Sequence, residues 1–310
     1  MSKKPELQTD IWRRVTIVTV THNAGMVIGE FLEVLNDSAN LIIVDNASND
    51  DTLEIIAAKR PSAMLILNEE GLGYGAACNR GLDIVETEFA ILANPDSISS
   101  DEAITKMLEA AGRHPDVGLI GPTVLNSDGA VELSHDVELW KRRPYGKRQD
   151  EIVPDGELCA EFISGAVALV RMKAIQDIGG FDREIFLYYE DDDMCLRMRQ
   201  QGWKLLLVPA AVVTHTGGGS VRVNRYYYWE KFWNIAWSRL YLEKKYNGKL
   251  AMSYLAVANV IKFSLKGLAY LLILNKEKSL RDLARSAGSI AALCGVRASK
   301  LPRAQSTLQD

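Results

Sequence analysis

Cysteine and histidine are scarce in this chain of 310 residues, with four of each. Cys78, Cys159, Cys195 and Cys294 are scattered, with no Cys-x-x-Cys pair. That argues against a metal or disulfide framework and makes a reducing cytosol the default. The N-terminal MSKKPELQTD is polar, so no signal peptide is expected. Internal repeats and low-complexity stretches are absent. So is a Gly-x-Gly-x-x-Gly directly after the first predicted strand, where a dinucleotide fingerprint belongs; Thr21-His22-Asn23-Ala24-Gly25 stands there instead. A glycine- and lysine-rich anion loop is missing from the same place, which disfavours a nucleotidyltransferase.

What is present is ample for a core. The chain is 47% hydrophobic and 25% charged, enough for one large or two small domains. The net charge of −4 hides an asymmetry. Residues 226–310 hold 14 Lys and Arg against 5 Asp and Glu, whereas the preceding residues hold 22 against 35. An acidic body with a basic, helix-forming tail points to a tail that meets something anionic. Nucleic acid is one candidate; an anionic membrane face is favoured by the tail's apolar content.

Strands are predicted at Val15–Val20, Leu41–Val44, Met64–Leu67 and residues 88–93, with helices over Met26–Leu35, Thr52–Ala58 and Ala76–Val85. This alternation predicts an α/β fold with a mostly parallel sheet and crossover helices. Ligands of such sheets bind beyond the carboxyl ends of the strands, which is where Thr21, Asp45, the loop Gly71–Gly75 and Asp96 fall. The second half is less regular. Strands are predicted at Val117–Val124, Glu161–Val170, Lys204–Val208 and Ala211–Thr214, a mobile loop at Leu139–Pro154, and a helix at Asp191–Gln201. Tyr226–Tyr246 is an aromatic-rich helix. Leu250–Leu274 is apolar enough to resemble a membrane span, but Lys262 and Lys266 interrupt it. That pattern suits a helix lying in the interface plane, or a core helix with snorkelling lysines.

Two acidic features carry the chemistry. Asn94-Pro95-Asp96-Ser97 ends an apolar strand, and a carboxylate there is placed to hold a hard cation serving a phosphate. Glu190-Asp191-Asp192-Asp193 opens a helix far downstream. A phosphate-handling carboxylate plus a separate base is the minimal kit for moving a group off an activated phosphate donor. Taken singly, the first is an ordinary turn and the second an acidic helix cap.

The order VTIVTVTHNA, LIIVDNASND, NEEGLGYGAACNRG, ANPDS, FISGAVALVR, GGFDREIFLYYEDDDMCLR and HTGGGS resembles the family 2 inverting glycosyltransferases, and within them the bacterial rhamnosyltransferases of cell-wall linkers and O-antigen. The resemblance covers about residues 13–225. It implies a GT-A type fold over 1–225, with a nucleotide-sugar-binding half at 13–110 and an acceptor and catalytic half at 111–225. Residues 226–310 follow as a basic amphipathic helical tail.

The resemblance implies a role for each block. Thr21 and Asn23 bring backbone close to the nucleotide. Asp45 accepts a hydrogen bond from the imino N–H of uracil or thymine, with Asn46 beside it; capping the following helix is the alternative for both. Gly73 lets backbone approach a sugar or phosphate. Asn79 and Arg80 line the donor pocket, a surface ion pair being the alternative for Arg80. Asn94 replaces the first acid of the usual Asp-x-Asp, so metal binding rests on Asp96, with His215 as a second ligand or a structural histidine. Asp191 is the general base; Glu190 and Asp193 orient the helix start or hydrogen-bond the acceptor, and Ser164 and Gly165 face the acceptor. His22 packs by the nucleotide; His114 and His135 are loop residues. The cofactor implied is Mg2+ or Mn2+. The partners are a dTDP- or UDP-sugar, a lipid-linked or polysaccharide acceptor and an anionic membrane, with no nucleic acid. A cytoplasmic enzyme, peripheral on the inner face of the cell membrane, is expected. A non-catalytic nucleotide-sugar binder is the rival reading, and retention of both Asp96 and Asp191 argues against it.

Overall fold

The computed structural model describes residues 11–139, 154–215 and 225–298. The loop expected through Leu139–Pro154 and the segment Thr216–Ser220 lie largely or wholly outside those residues. In chain order the strands are β1 (Val15–Thr21), β2 (Asn40–Asp45), β3 (Met64–Leu67), β4 (Phe89–Ala93), β5 (Ser97–Ser99), β6 (Val117–Leu125), β7 (Val131–Glu132), β8 (His135–Asp136), β9 (Leu158–Ala160), β10 (Phe162–Ile163), β11 (Val167–Arg171) and β12 (Lys204–His215). The helices are α1 (Ile28–Val34), α2 (Thr52–Lys59), α3 (Tyr74–Leu82), α4 (Asp101–Arg113), α5 (Met172–Ile178), α6 (Glu190–Gln200), α7 (Arg225–Leu272) and α8 (Lys276–Leu293).

The main sheet runs β3-β2-β1-β4-β11-β6-β12-β5. Its first four strands are mutually parallel. It continues through antiparallel β11 and the parallel pair β6 and β12. β1 is buried along its whole length, which suits an uninterrupted β-branched run covered on both faces. Alternate residues serve the two sides. Ile17, Ile43 and Ile91 join Phe31, Ile56, Ile104 and Met107 in one core. On the other side Gly81 of α3 lies so close that a Cβ would stand 2.6 Å from Val18 Cγ1. Any side chain at position 81 would lift the helix off the sheet.

Several expectations are corrected. Glu161–Val170 is not one strand: β10 pairs with β8, and β11 joins the main sheet, with Ser164-Gly165-Ala166 between them. Conversely, β12 runs unbroken through Pro209; the irregularity there is a register shift against β6 between Val208 and Val212. A proline lacks the N–H a ladder needs, and a bulge is where a strand tolerates it. His135 is not a loop residue but a buried member of β8.

The described residues divide into two compact units. The first holds the sheet and its helices. The second gathers Gly71–Gly75, Arg183–Glu190, α7 and α8. Within it α7 is two helices joined at Gly248, whose φ of 89° favours glycine. Trp233, Trp237, Leu240, Met252 and Ala256 of α7 pack toward α8. The Ser279 hydroxyl donates to the Gly267 carbonyl at 2.8 Å, and Ser264 and Ser286 share a hydrogen bond of 2.8 Å.

Candidate functional site

The register of the first unit brings the separate motifs together. Thr21 and Asp45 are partners at the ends of β1 and β2. The Thr21 hydroxyl donates to Asp45 Oδ1 at 2.8 Å, and the Ser48 N–H and hydroxyl donate to Asp45 at 2.9 and 2.5 Å. Asp45 is 2% exposed. It therefore shapes the turn 46–48 rather than capping α2, whose first turn is held by Asp50 accepting from Thr52. A carboxylate accepts about four hydrogen bonds, so three protein donors do not exhaust it.

Asn23 sits in the left-handed region at φ 53°, a conformation asparagine tolerates. Its N–H donates to Ser48 Oγ, and its side-chain oxygen accepts from Asn49 N–H at 2.8 Å. The buried Asn46 amide accepts from Asn68 Nδ2 at 2.9 Å. Arg80 donates to Asn68 and to the Leu67 carbonyl. Among its hydrogen bonds Arg80 thus supports the end of β3, where a surface ion pair was the alternative. Asn68 is a member of this network that the sequence reading did not single out.

The residues expected at the metal, Asp96 and His215, are brought together by the pairing of β5 with β12. His215 is the register partner of Ser97, which places it beside Asp96. His215 Nε2 lies 3.3 Å from Asp96 Oδ1, and Nδ1 lies 3.1 Å from Glu132 Oε2. Asp96 and Glu132 hold the imidazole pKa up, to about 10, against the opposing effect of burial. Among the described residues no group of three or more His, Cys, Asp or Glu is arranged as a metal cage. A two-residue site still fits Mg2+ or Mn2+. Adjacent ligands on an octahedral ion of this size stand about 3.0 Å apart, and such ions complete their shell with phosphate oxygens and water. Asp96 Oδ1 and His215 Nε2 would be the protein ligands, the ion taking the place of the Nε2 proton. Glu132 was not foreseen. It is 83 residues from His215 in sequence and sits in a two-residue strand, which carries no periodic signal.

The acid at the helix start is tied to the same place. Ala93 pairs with Val167, and Asn94 N–H donates to the Ala166 carbonyl at 2.9 Å. One residue earlier, Gly165 N–H donates to Asp191 Oδ2 at 2.9 Å. A Cβ at Gly165 would stand 2.4 Å from Asp191 Oδ1, so the absence of a side chain is what lets the carboxylate rest on this backbone. Ser164 N–H is bound to the Ser134 carbonyl at 2.7 Å.

Asp193 and Asn79 turn out to be supports. Asp193 is fully buried and accepts from Arg197 Nε at 2.6 Å, a contact that ties the first turn of α6 to its second. Arg197 also donates to the carbonyls of Ile178 and Gly180 at 2.8 and 2.7 Å. Both ends of the Asn79 amide engage the backbone of Phe181, at 2.7 and 2.9 Å. Asn79 therefore clamps the turn Gly179–Asp182.

In the second unit Gly73 has φ 85°, and a Cβ on it would stand 2.1 Å from the Phe186 carbonyl oxygen. Tyr74 N–H donates to that oxygen at 3.1 Å. Tyr188 and Tyr189 are consecutive left-handed residues at φ 66° and 69°, each costing about 1–3 kcal/mol. Burial and the neighbouring Tyr227 push the Tyr188 hydroxyl well above the usual tyrosine range. Buried Glu190 follows directly at the start of α6.

Comparison with known proteins identifies the family. The family model described as Glycosyl transferase family 2 matches residues 16–179, and one described as Glycosyl transferase family group 2 matches residues 105–276. An N-acetylglucosaminyl-diphospho-decaprenol L-rhamnosyltransferase of Mycobacterium tuberculosis is 32% identical over 230 residues, 64% of this chain and 75% of that protein. The O-antigen chain rhamnosyltransferase WbaN of Salmonella anatum is 24% identical over 212 residues, 65% of each chain. Among solved structures, the mannosyltransferase PcManGT of Pyrobaculum calidifontis, in complex with GDP-Man and Mn2+, aligns over 90% of this chain and 87% of its own. Its TM-score of 0.54 at 15% identity shows a shared fold. A GT-A type sheet with a helical C-terminal extension, a family match over more than half the chain and rhamnosyltransferase relatives lead to one conclusion: this chain is a glycosyltransferase and belongs to glycosyl transferase family 2.

Proposed function

We propose that the enzyme transfers L-rhamnose, with inversion, from dTDP-L-rhamnose to a lipid-linked acceptor in cell-envelope glycan synthesis, working at the inner face of the cell membrane. The observation that carries the chemistry is the pair of adjacent hydrogen bonds from Asn94 to Ala166 and from Gly165 to Asp191. They couple the strand end bearing Asp96 to the acid at the helix start. The kinship with rhamnosyltransferases supports rhamnose, and the mycobacterial relative, which is named for a diphospho-decaprenol acceptor, supports a lipid diphosphate.

In this reading Asp45 faces the pyrimidine edge, with Thr21 and Ser48 fixing its carboxylate. Asp191 takes the proton of the acceptor hydroxyl. The freed oxygen forms a bond to C1 of the sugar from the face opposite the nucleotide. The C1–O bond to the diphosphate breaks, and its electron pair leaves with the nucleoside diphosphate. A divalent ion held by Asp96 and His215 would supply charge stabilisation to that leaving group. Glu132 holds the His215 ring so that Nε2, not Nδ1, faces Asp96.

A panel of nucleotide sugars, scored by thermal stabilisation with and without Mn2+ and then by product anomeric configuration, tests the reading. dTDP-L-rhamnose with Mn2+ should stabilise most, by about 2.7 kcal/mol at a hundredfold excess over Kd, and give an α-L-rhamnoside. Preference for a GDP-sugar, or a product that keeps the donor's configuration, rejects it. Glu132→Gln bears on the metal side separately. Outer-shell partners of this kind are worth roughly 10–100-fold in metal affinity, so Mn2+ titrated calorimetrically in the presence of dTDP should bind at least tenfold more weakly. Unchanged affinity would remove Glu132 from the assignment.

A further inference from the structure

The second half of α7, after Gly248, carries one side that its own unit leaves uncovered. Leu250, Tyr254, Val257, Ile261, Leu265, Leu268 and Leu272 are all exposed, between 50% and 89%. Their steps of three and four residues keep them on one face of the helix. The opposite face, with Met252, Ala256 and Gly267, is buried toward α8. The whole helix is long and apolar enough to cross a membrane, yet only 11% of its most apolar stretch is buried.

Charge narrows the occupant. Between Glu243 and Glu277 there is no acidic residue, while Lys244, Lys245, Lys249, Lys262, Lys266 and Lys276 all fall there. Lys262 and Lys266 are exposed, one helical turn apart, on the flank between the apolar stripe and the side buried toward α8. A second copy of this chain would instead bring a second set of these lysines to the same contact, with no acidic residue between Glu243 and Glu277 to offset them. Against a spanning helix, α8 packs along α7 and carries Lys278, Arg281, Asp282 and Arg285. Burying that pair of helices in hydrocarbon would take those charges with it.

We infer that the stripe from Leu250 to Leu272 is a docking face for an anionic bilayer, with the helix in the plane of the interface and Lys262 and Lys266 reaching lipid phosphates. The inference rests on the lipid-acceptor reading for its purpose, though its geometry is independent of it. The same unit holds the loop 183–190 just ahead of Asp191. Within that unit Ser238, in the first half of α7, donates to the Leu187 carbonyl at 2.9 Å.

The test uses the full chain and extruded vesicles of phosphatidylcholine alone or mixed with phosphatidylglycerol. Flotation should occur with the mixed vesicles and weaken as salt rises. Leu265→Glu should lower binding about tenfold or more. Lys262→Gln with Lys266→Gln should lower it by about fivefold per lysine. Both variants should keep the wild-type melting temperature and donor hydrolysis rate, because these side chains face solvent. Flotation that is lost while donor hydrolysis persists separates this face from the transfer chemistry. Three results would overturn the inference: no flotation of the wild-type chain, wild-type flotation of Leu265→Glu, or a wild-type dimer that Leu265→Glu dissolves. Retention on vesicles through an alkaline carbonate wash would also overturn it, in favour of a spanning helix.

Discussion

Asp191→Asn should bind donor as the wild type does and lose transfer by about 10³-fold, within the range usual for removing a positioned general base. The amide keeps the volume of the carboxylate, and its oxygen can still accept from Gly165 N–H, the 2.9 Å contact that seats the side chain. What it cannot do is take a proton. The loss should therefore fall on kcat, with the dTDP-sugar thermal shift unchanged. Asp193→Asn is the control. Asp193 is fully buried against Arg197, so its substitution should lower the melting temperature and only secondarily the rate. Near-normal turnover in Asp191→Asn, or equal kcat losses in the two variants at matched folded fraction, would move the base elsewhere.

The contrast between these neighbouring acids shows what a sequence can and cannot disclose. The strand ends were legible because VTIVTV and LIIVD are β-branched runs that end in polar turns, and the parallel sheet then puts Thr21 and Asp45 side by side. Asp96 and His215 were legible as separate candidates. That they meet depends on the pairing of β5 with β12, across more than a hundred residues. Glu132 had no local signal at all. Asp193 and Asn79 hold structural contacts that nothing local in the sequence discloses. Helical geometry separates Asp193 from Asp191: on α6, Asp191 meets the backbone at Gly165, while Asp193 lies two residues on, about 200° around, and meets Arg197 one turn later. The unbroken β12 was hidden by Pro209, which a register shift accommodates. Such accommodations depend on the partner strand, which one segment of sequence does not specify.

The support built on Arg197 should be as consequential for stability as Asp191 is for rate. Arg197→Met keeps the aliphatic stem and removes the cation. The Asp193 carboxylate, 0% exposed, then loses its contact with Arg197 at 2.6 Å. The Ile178 and Gly180 carbonyls lose their shared donor in the same step. Breaking a buried pair from one side costs about 3–5 kcal/mol, equivalent to a fall of roughly 10 °C in melting temperature for a unit of this size. The double variant Arg197→Met with Asp193→Leu removes the buried carboxylate as well, and should recover much of the loss, since the penalty comes from a buried charge deprived of Arg197 more than from the missing contact. Differential scanning calorimetry of the three proteins decides it. If Arg197→Met melts with the wild type, the pair does not hold the Gly179–Asp182 turn. If the double variant is no more stable than Arg197→Met alone, the carbonyl contacts to the turn, rather than the buried charge, account for the loss.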